Sequence, residues 1–233
     1  MKDFVLLTRA VSVVVVAGTA LLSVPATADS GNHDWTGACV GANVGAGMSS
    51  GSIDNPDGEL GSESFNERLI QGGVVGGYNK QFRSTVPGLE GEINWGDQNH
   101  QGTLDGGITP GLFENSISRV DWTGAILARV GKAGEDSLYF VEAGPAVARA
   151  SGSVTRNESS ENWVYNSWQP GFKAAVGAEF MVSDHLSVRA QYSMLTIVGR
   201  TAYASPGFTP GTTDRYIWTN SQAAATIGAT RHF

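Results

Sequence analysis

Glu90 and Glu92 lie two residues apart in the stretch GLEGEINW, residues 88–95. On a β-strand, alternate residues share a face, which sets the two carboxylates ~7 Å apart. Paired acids at such a distance can divide the work of general acid and general base. They can equally be polar filling on one side of a sheet. Leu89, Gly91, Ile93 and Trp95 alternate with Glu90, Glu92 and Asn94, a period of two that predicts a strand. The chemistry of the pair therefore depends on what that strand belongs to.

Other reactive residue types are sparse. Cys39 is the only cysteine, which excludes an intrachain disulfide and a multi-cysteine metal site. Its alternation places it with the small residues of the first strand, as a packing group. His33, His100, His185 and His232 are scattered without ligand spacing, so no metal centre and no cofactor are expected. Gly72, Gly73, Gly76 and Gly77 lack the strand–loop–helix setting of a phosphate loop and read as strand glycines in a tightly curved sheet.

The chain has 233 residues, 41% hydrophobic, 16% charged, with 31 glycines and a net charge of -7. That acidity argues against nucleic-acid binding, which favours a basic face. Lys2 and Arg9 precede an apolar run from Ala10 to Val24, followed by Ala26, Thr27 and Ala28. This is the pattern of a cleaved signal peptide over residues 1–28, with a retained anchor as the competing reading. Cleavage would leave a single domain over 29–233 and, by removing Lys2, Asp3 and Arg9, a net charge of -8.

The mature chain reads as eight strands, near Trp35–Met48, Ile70–Phe82, Gly88–Asp97, Ser118–Gly131, Ser137–Ala150, Trp168–Val182, Leu186–Val198 and Thr219–Phe233. Tight links (RSTVP, KAGED, SDH) alternate with long polar ones, Ser49–Leu69, Gln98–Ile117, Ser151–Ser167 and Gly199–Trp218. Short turns at one end and long loops at the other predict an all-β, eight-stranded antiparallel transmembrane up-and-down barrel. Val40, Val44, Met48, Val74, Val120, Ile126, Val130, Val141, Phe172, Val188 and Ile227 belong to the apolar set. Glu90, Glu92, Asp121, Arg129, Glu142, Lys173, Glu179 and Arg189 fall on the opposite parity. Alternation alone does not say which set faces inward, because a soluble barrel would bury the apolar one.

The aromatics discriminate. Trp95, Trp122 and Trp168 fall on the apolar face at the long-loop ends, and Tyr78, Phe82, Tyr139, Phe180 and Phe233 near the short-turn ends. Two belts at two levels match the two interfaces of a bilayer. The glutamates then point into a lumen so narrow that side chains fill it. Five acids and three bases share that space, and buried charges must pair. An internal salt-bridge network is expected, with Arg129 and Arg189 neutralising the glutamates.

The pieces WTGACVGANVGAG, GGVVGGYNKQF, GLEGEINWGD, ILARVGKAGEDSLYFVEAGPAVA and FKAAVGAEFMVSDHLSVRAQYSML, with the terminal Phe233, occur in an order that resembles a known family. It is that of the outer-membrane immunogenic or porin-family proteins of alphaproteobacteria, related to the OmpA-like barrel superfamily. The resemblance spans the eight strands and leaves out the long loops. It implies a Gram-negative outer membrane reached by Sec export, periplasmic termini and long loops outside. It implies periplasmic chaperones and the barrel-assembly machinery as partners, with Phe233 as the assembly signal, and outer-membrane lipid and lipopolysaccharide as surroundings. The sequence departs from the family at Arg231, where an aromatic is usual, and at Gln191, where an acid is frequent.

Three functions follow from different classes. The first is a structural, surface-exposed barrel that supports envelope integrity and surface contact without catalysis. Its long loops, carrying Trp163, Tyr165, Tyr203, Phe208 and Trp218, would be open to host or surface ligands. The second is a small porin or narrow channel. The third is a lipid A-modifying enzyme, since His185 and Ser187 are similar to the His-x-Ser of an outer-membrane lipid A deacylase, in which histidine activates serine.

Overall fold

The computed structural model describes residues 33–54, 63–97, 99–105, 113–156, 162–203 and 215–233. The expected signal peptide and the tips of the long links, with Phe208, lie outside them. Nine strand segments run β1 (Gly37–Asp54), β2 (Glu63–Asn79), β3 (Thr85–Asp97), β4 (Asn99–Asp105), β5 (Phe113–Ala133), β6 (Ser137–Arg156), β7 (Asn162–Ser183), β8 (Leu186–Tyr203) and β9 (Arg215–His232). Apart from β3 and β4, consecutive segments pair antiparallel, β3 pairs with β5, and β1 pairs with β9. β3 and β4 both pair with β5, so they belong to one crossing. The result is a closed, eight-stranded, all-antiparallel barrel.

The strands are longer than their alternation suggests. β5, β6 and β7 have 21, 20 and 22 residues, about twice the ~9–11 that cross a tilted bilayer. Much of Ser49–Leu69, Gln98–Ile117, Ser151–Ser167 and Gly199–Trp218, expected as loop, is therefore strand. Above a membrane neither face of a strand need be apolar. The periodic signal fades there while backbone pairing continues. At the other end the turns are tight: Phe82 and Thr85 exchange backbone hydrogen bonds of 2.8 and 3.0 Å around Arg83, whose φ is 57°. Only Asp184 and His185 separate β7 from β8.

The two faces are those of a barrel in lipid. Val40, Val44, Met48, Val74, Ile93, Ile126, Phe172, Val188 and Ile227 are exposed on the outer face, while Glu90, Glu92, Arg129, Glu142, Lys173, Glu179 and Arg189 are buried in the lumen. A soluble barrel would have these reversed. The lumen also holds apolar groups at two levels. Trp35, Val86, Ala133 and Leu138 pack together at the short-turn end. Val120, Ala148, Ala150, Leu195 and Ile197 pack nearer the long-strand end.

Two expectations fail at one place. Between Val120 and Trp122 the pairing of β5 with β6 slips by one residue, so Asp121 is a β-bulge. An extra residue inverts parity on one side of it. Val120, expected outside, is buried in the lumen. Asp121, expected inside, is partly exposed and lies 3.6 Å from Arg119.

Candidate functional site in the barrel lumen

β3 sends Glu90, Glu92 and Asn94 inward, β5 sends Arg129, β6 Glu142 and Phe140, β7 Lys173 and Glu179, and β8 Ser187, Arg189 and Gln191; all are buried. Arg189 is the hub. Its Nη1 donates to both carboxylate oxygens of Glu90 at 2.8 and 2.7 Å, and its Nη2 to those of Glu142 at 3.1 and 3.2 Å. Gln191 accepts from the same Nη2 and donates to Glu142 at 3.0 Å. Arg129 donates to Glu179 at 2.7 Å and to Glu90 at 3.4 Å. Lys173 pairs with Glu92, which also accepts from Asn94 at 3.2 Å.

Both guanidinium groups lie against the Phe140 ring, the Cζ of Arg129 at 3.7 Å and that of Arg189 at 4.6 Å from its centroid. The quadrupole of the ring gives both cations an attractive face where water is displaced. Seven of the eight residues expected to form the internal charge network thus lie in one layer of the lumen, and Asp121 does not. Phe140 is not legible in the sequence, because an aromatic residue in a lumen carries no alternation signal of its own.

Oxygen atoms of Glu90, Glu92 and Glu142 come within 4.8 Å of one another, a grouping that could hold a cation. Arg189 and Lys173 already place their cationic heads on these carboxylates. An acid/base pair free to meet substrate is not what this geometry offers. All four carboxylates of this layer are engaged, and apolar layers lie toward both ends.

Ser187 has a different partner from the one its sequence neighbours suggest. Its Oγ is 3.0 Å from Nε2 of His232 and donates to the Thr230 carbonyl at 3.3 Å. His185 is exposed in the β7–β8 turn. Glu179 Oε2 is 3.6 Å from the same Nε2 of His232. A relay needs the acid on the other ring nitrogen, where it orients the imidazole toward the serine. Here acid and hydroxyl meet one nitrogen, in a buried pocket. The group works as a polar tie among β7, β8 and β9.

His33 and Trp35 close the short-turn end over it. The rings of His33 and His232 are 6.2 Å apart, and Trp35 stands edge-on to both, at 5.1 and 5.2 Å. Burial, with His232 nearby, lowers the pKa of His33 below its ordinary value, so the neutral ring is favoured. Spacing along the chain gave no hint of this approach, because barrel closure alone joins the two ends.

On the outer face, Trp95 lies opposite Trp122, Trp122 opposite Arg149, and Arg149 opposite Trp168. Tyr78, Phe82, Tyr139, Phe180 and Phe233 are exposed near the short-turn end. An apolar outer surface between two aromatic levels and a charged, filled interior suits a barrel that crosses a bilayer. The family described as outer membrane protein beta-barrel domain matches residues 14–231. The chain belongs to this family. Membership implies a Gram-negative outer membrane.

Among solved structures, three outer-membrane or surface proteins are similar to the chain. OprG from Pseudomonas aeruginosa is 13% identical with a TM-score of 0.49, covering 88% of this chain and 99% of its own. Ail, the attachment invasion locus protein of Yersinia pestis, is 8% identical with a TM-score of 0.41, covering 85% and 99%. The outer membrane protease OmpT from Escherichia coli is 10% identical with a TM-score of 0.43, covering 84% and 97%. No curated protein matches the chain.

Proposed function

We propose that this protein is a closed structural barrel of the outer membrane, exposed at the cell surface, that supports envelope integrity and surface contact and performs no catalysis. The observation that carries the reading is the lumen layer, in which Glu90, Glu92, Glu142 and Glu179 are each paired with Arg129, Lys173 or Arg189. A transport path would need that layer hydrated, and an enzyme would need one of its groups free.

The rest of the assignment goes with it. The chain is of the alphaproteobacterial immunogenic or porin type, exported by Sec with removal of residues 1–28 as its signal peptide. Chaperones and the barrel-assembly machinery handle it, Phe233 serving as the assembly signal. The long strands point outward among lipopolysaccharide, and their tips are the surface offered to host or surface ligands. The two aromatic levels lie at the two membrane interfaces.

Conductance of the refolded protein in a planar bilayer tests the reading. Silence is expected once insertion is shown by heat-modifiable migration on a gel. Stable unitary steps would overturn it in favour of a narrow channel. Deletion of the gene should raise uptake of a hydrophobic dye by whole cells, and unchanged uptake would count against a role in envelope integrity.

A further inference from the structure

Arg149 occupies an unusual place on the outer surface. The row Trp95, Trp122, Arg149, Trp168 crosses β3, β5, β6 and β7 at one height. Residues directly opposite in antiparallel strands project from the same face. Arg149 therefore projects from the outer face at a position flanked by Trp122 and Trp168, on the side where Trp95 and Trp168 are about half exposed. Trp122 and Trp168 meet edge to face, with centroids 4.7 Å apart. Arg119 lies diagonally from Arg149, opposite Ser151 and toward the long-strand end. Its side chain is 54% exposed and 3.6 Å from Asp121, the bulge residue. Arg149 has no carboxylate partner among the described residues.

Indole rings settle at the headgroup level of a bilayer. An arginine held there without a counter-ion faces a region of reduced dielectric, where an anion is strongly favoured. Its planar fork matches two oxygens of a phosphate. We propose that Arg149, assisted by Arg119, binds the phosphate of an outer-leaflet lipid whose acyl chains run along the Trp122–Trp168 pair. The inference rests on the proposed orientation, with the long strands outward, and gives the surrounding lipid a defined seat.

The test uses refolded full-length mature barrel in phosphatidylcholine nanodiscs doped with bisphosphorylated or dephosphorylated lipid A. Lipid retained by the ejected barrel is read by native mass spectrometry. The wild type should keep the phosphorylated form over the dephosphorylated one by about tenfold, the order expected for one charge-assisted contact. Arg149→Gln should bring the ratio near one, and Arg149→Lys should leave an intermediate ratio. Lys132→Gln, which removes an exposed charge at the short-turn end, should leave the ratio as in the wild type.

Absence of a preference in the wild type overturns the proposal, as does a preference that survives Arg119→Gln/Arg149→Gln. Equal displacement by millimolar inorganic phosphate would show recognition of a free anion and overturn the lipid assignment. Heat-modifiable migration establishes folding of each variant, and Arg149→Lys serves if Arg149→Gln does not fold. Conductance is unaffected by any of these outcomes, so a closed barrel can fail this test and a channel can pass it.

Discussion

Arg189 holds Glu90 in a two-oxygen grip, Nη1 lying 2.8 and 2.7 Å from the carboxylate oxygens, and reaches Glu142 with its other nitrogen. One guanidinium thus joins β3, β6 and β8 across the lumen. Removing one partner of a buried pair leaves a charge without compensation. Arg189→Met should destabilise the barrel by about 3–5 kcal/mol. Urea unfolding of the barrel in phospholipid vesicles measures it, and an unchanged midpoint would mean that the network contributes no stability.

Lys173 and Glu92 form a more separate pair, since Glu92 has only Asn94 as a further side-chain partner in the layer. Lys173→Met alone should cost about 3–5 kcal/mol by stranding Glu92. The double variant Lys173→Met/Glu92→Leu should recover most of that loss, because an apolar pair of similar volume carries no desolvation penalty. If the double variant were as unstable as the single one, packing rather than charge would be the cause.

Ser187 is the residue on which an enzymatic reading would rest. Its hydroxyl is buried and shares Nε2 of His232 with Glu179. Ser187→Ala should leave the lipid A of expressing cells unchanged by mass spectrometry and lower stability by about 1 kcal/mol. A lipid A species that appears with the wild type and vanishes in the variant would establish catalysis.

Gly144 faces the lumen where β6 passes close to β5. A Cβ there would lie 2.0 Å from the carbonyl oxygen of Ile126 and 3.0 Å from its carbon. Backbone at that distance cannot move without disturbing the ladder. Gly144→Ala should lower the refolded fraction several-fold, scored by the heat-modifiable band. Gly76→Ala, whose Cβ would meet nothing nearer than 3.7 Å, should refold as the wild type does.

The alternation of Glu90 and Glu92 with Leu89, Gly91 and Ile93 was enough to identify a strand, its parity and the charged side of it. The same held for Arg129, Glu142, Lys173, Glu179 and Arg189, because strand parity is a local property of the backbone. It broke at Asp121, where a bulge adds a residue that no local pattern announces. It faded in the long links, where a strand beyond the apolar slab need not keep one face apolar. Which face is inside was suggested by the two levels of aromatics, and the exposed apolar side chains settle it.

Pairing between distant residues had no local signal at all. The sequence by itself determined eight amphipathic crossings, their up-and-down order, and a charged set opposite an apolar one, since the two-residue repeat of an extended chain gives the faces and the alternation of short and long links gives the order. Register between β8 and β9 decided that Ser187 meets His232 rather than His185, and closure of β1 on β9 decided that Arg189 reaches Glu90 and that His33 and His232 approach. Those contacts depend on the register and curvature of the whole sheet, which hydrogen bonds between non-neighbouring segments set.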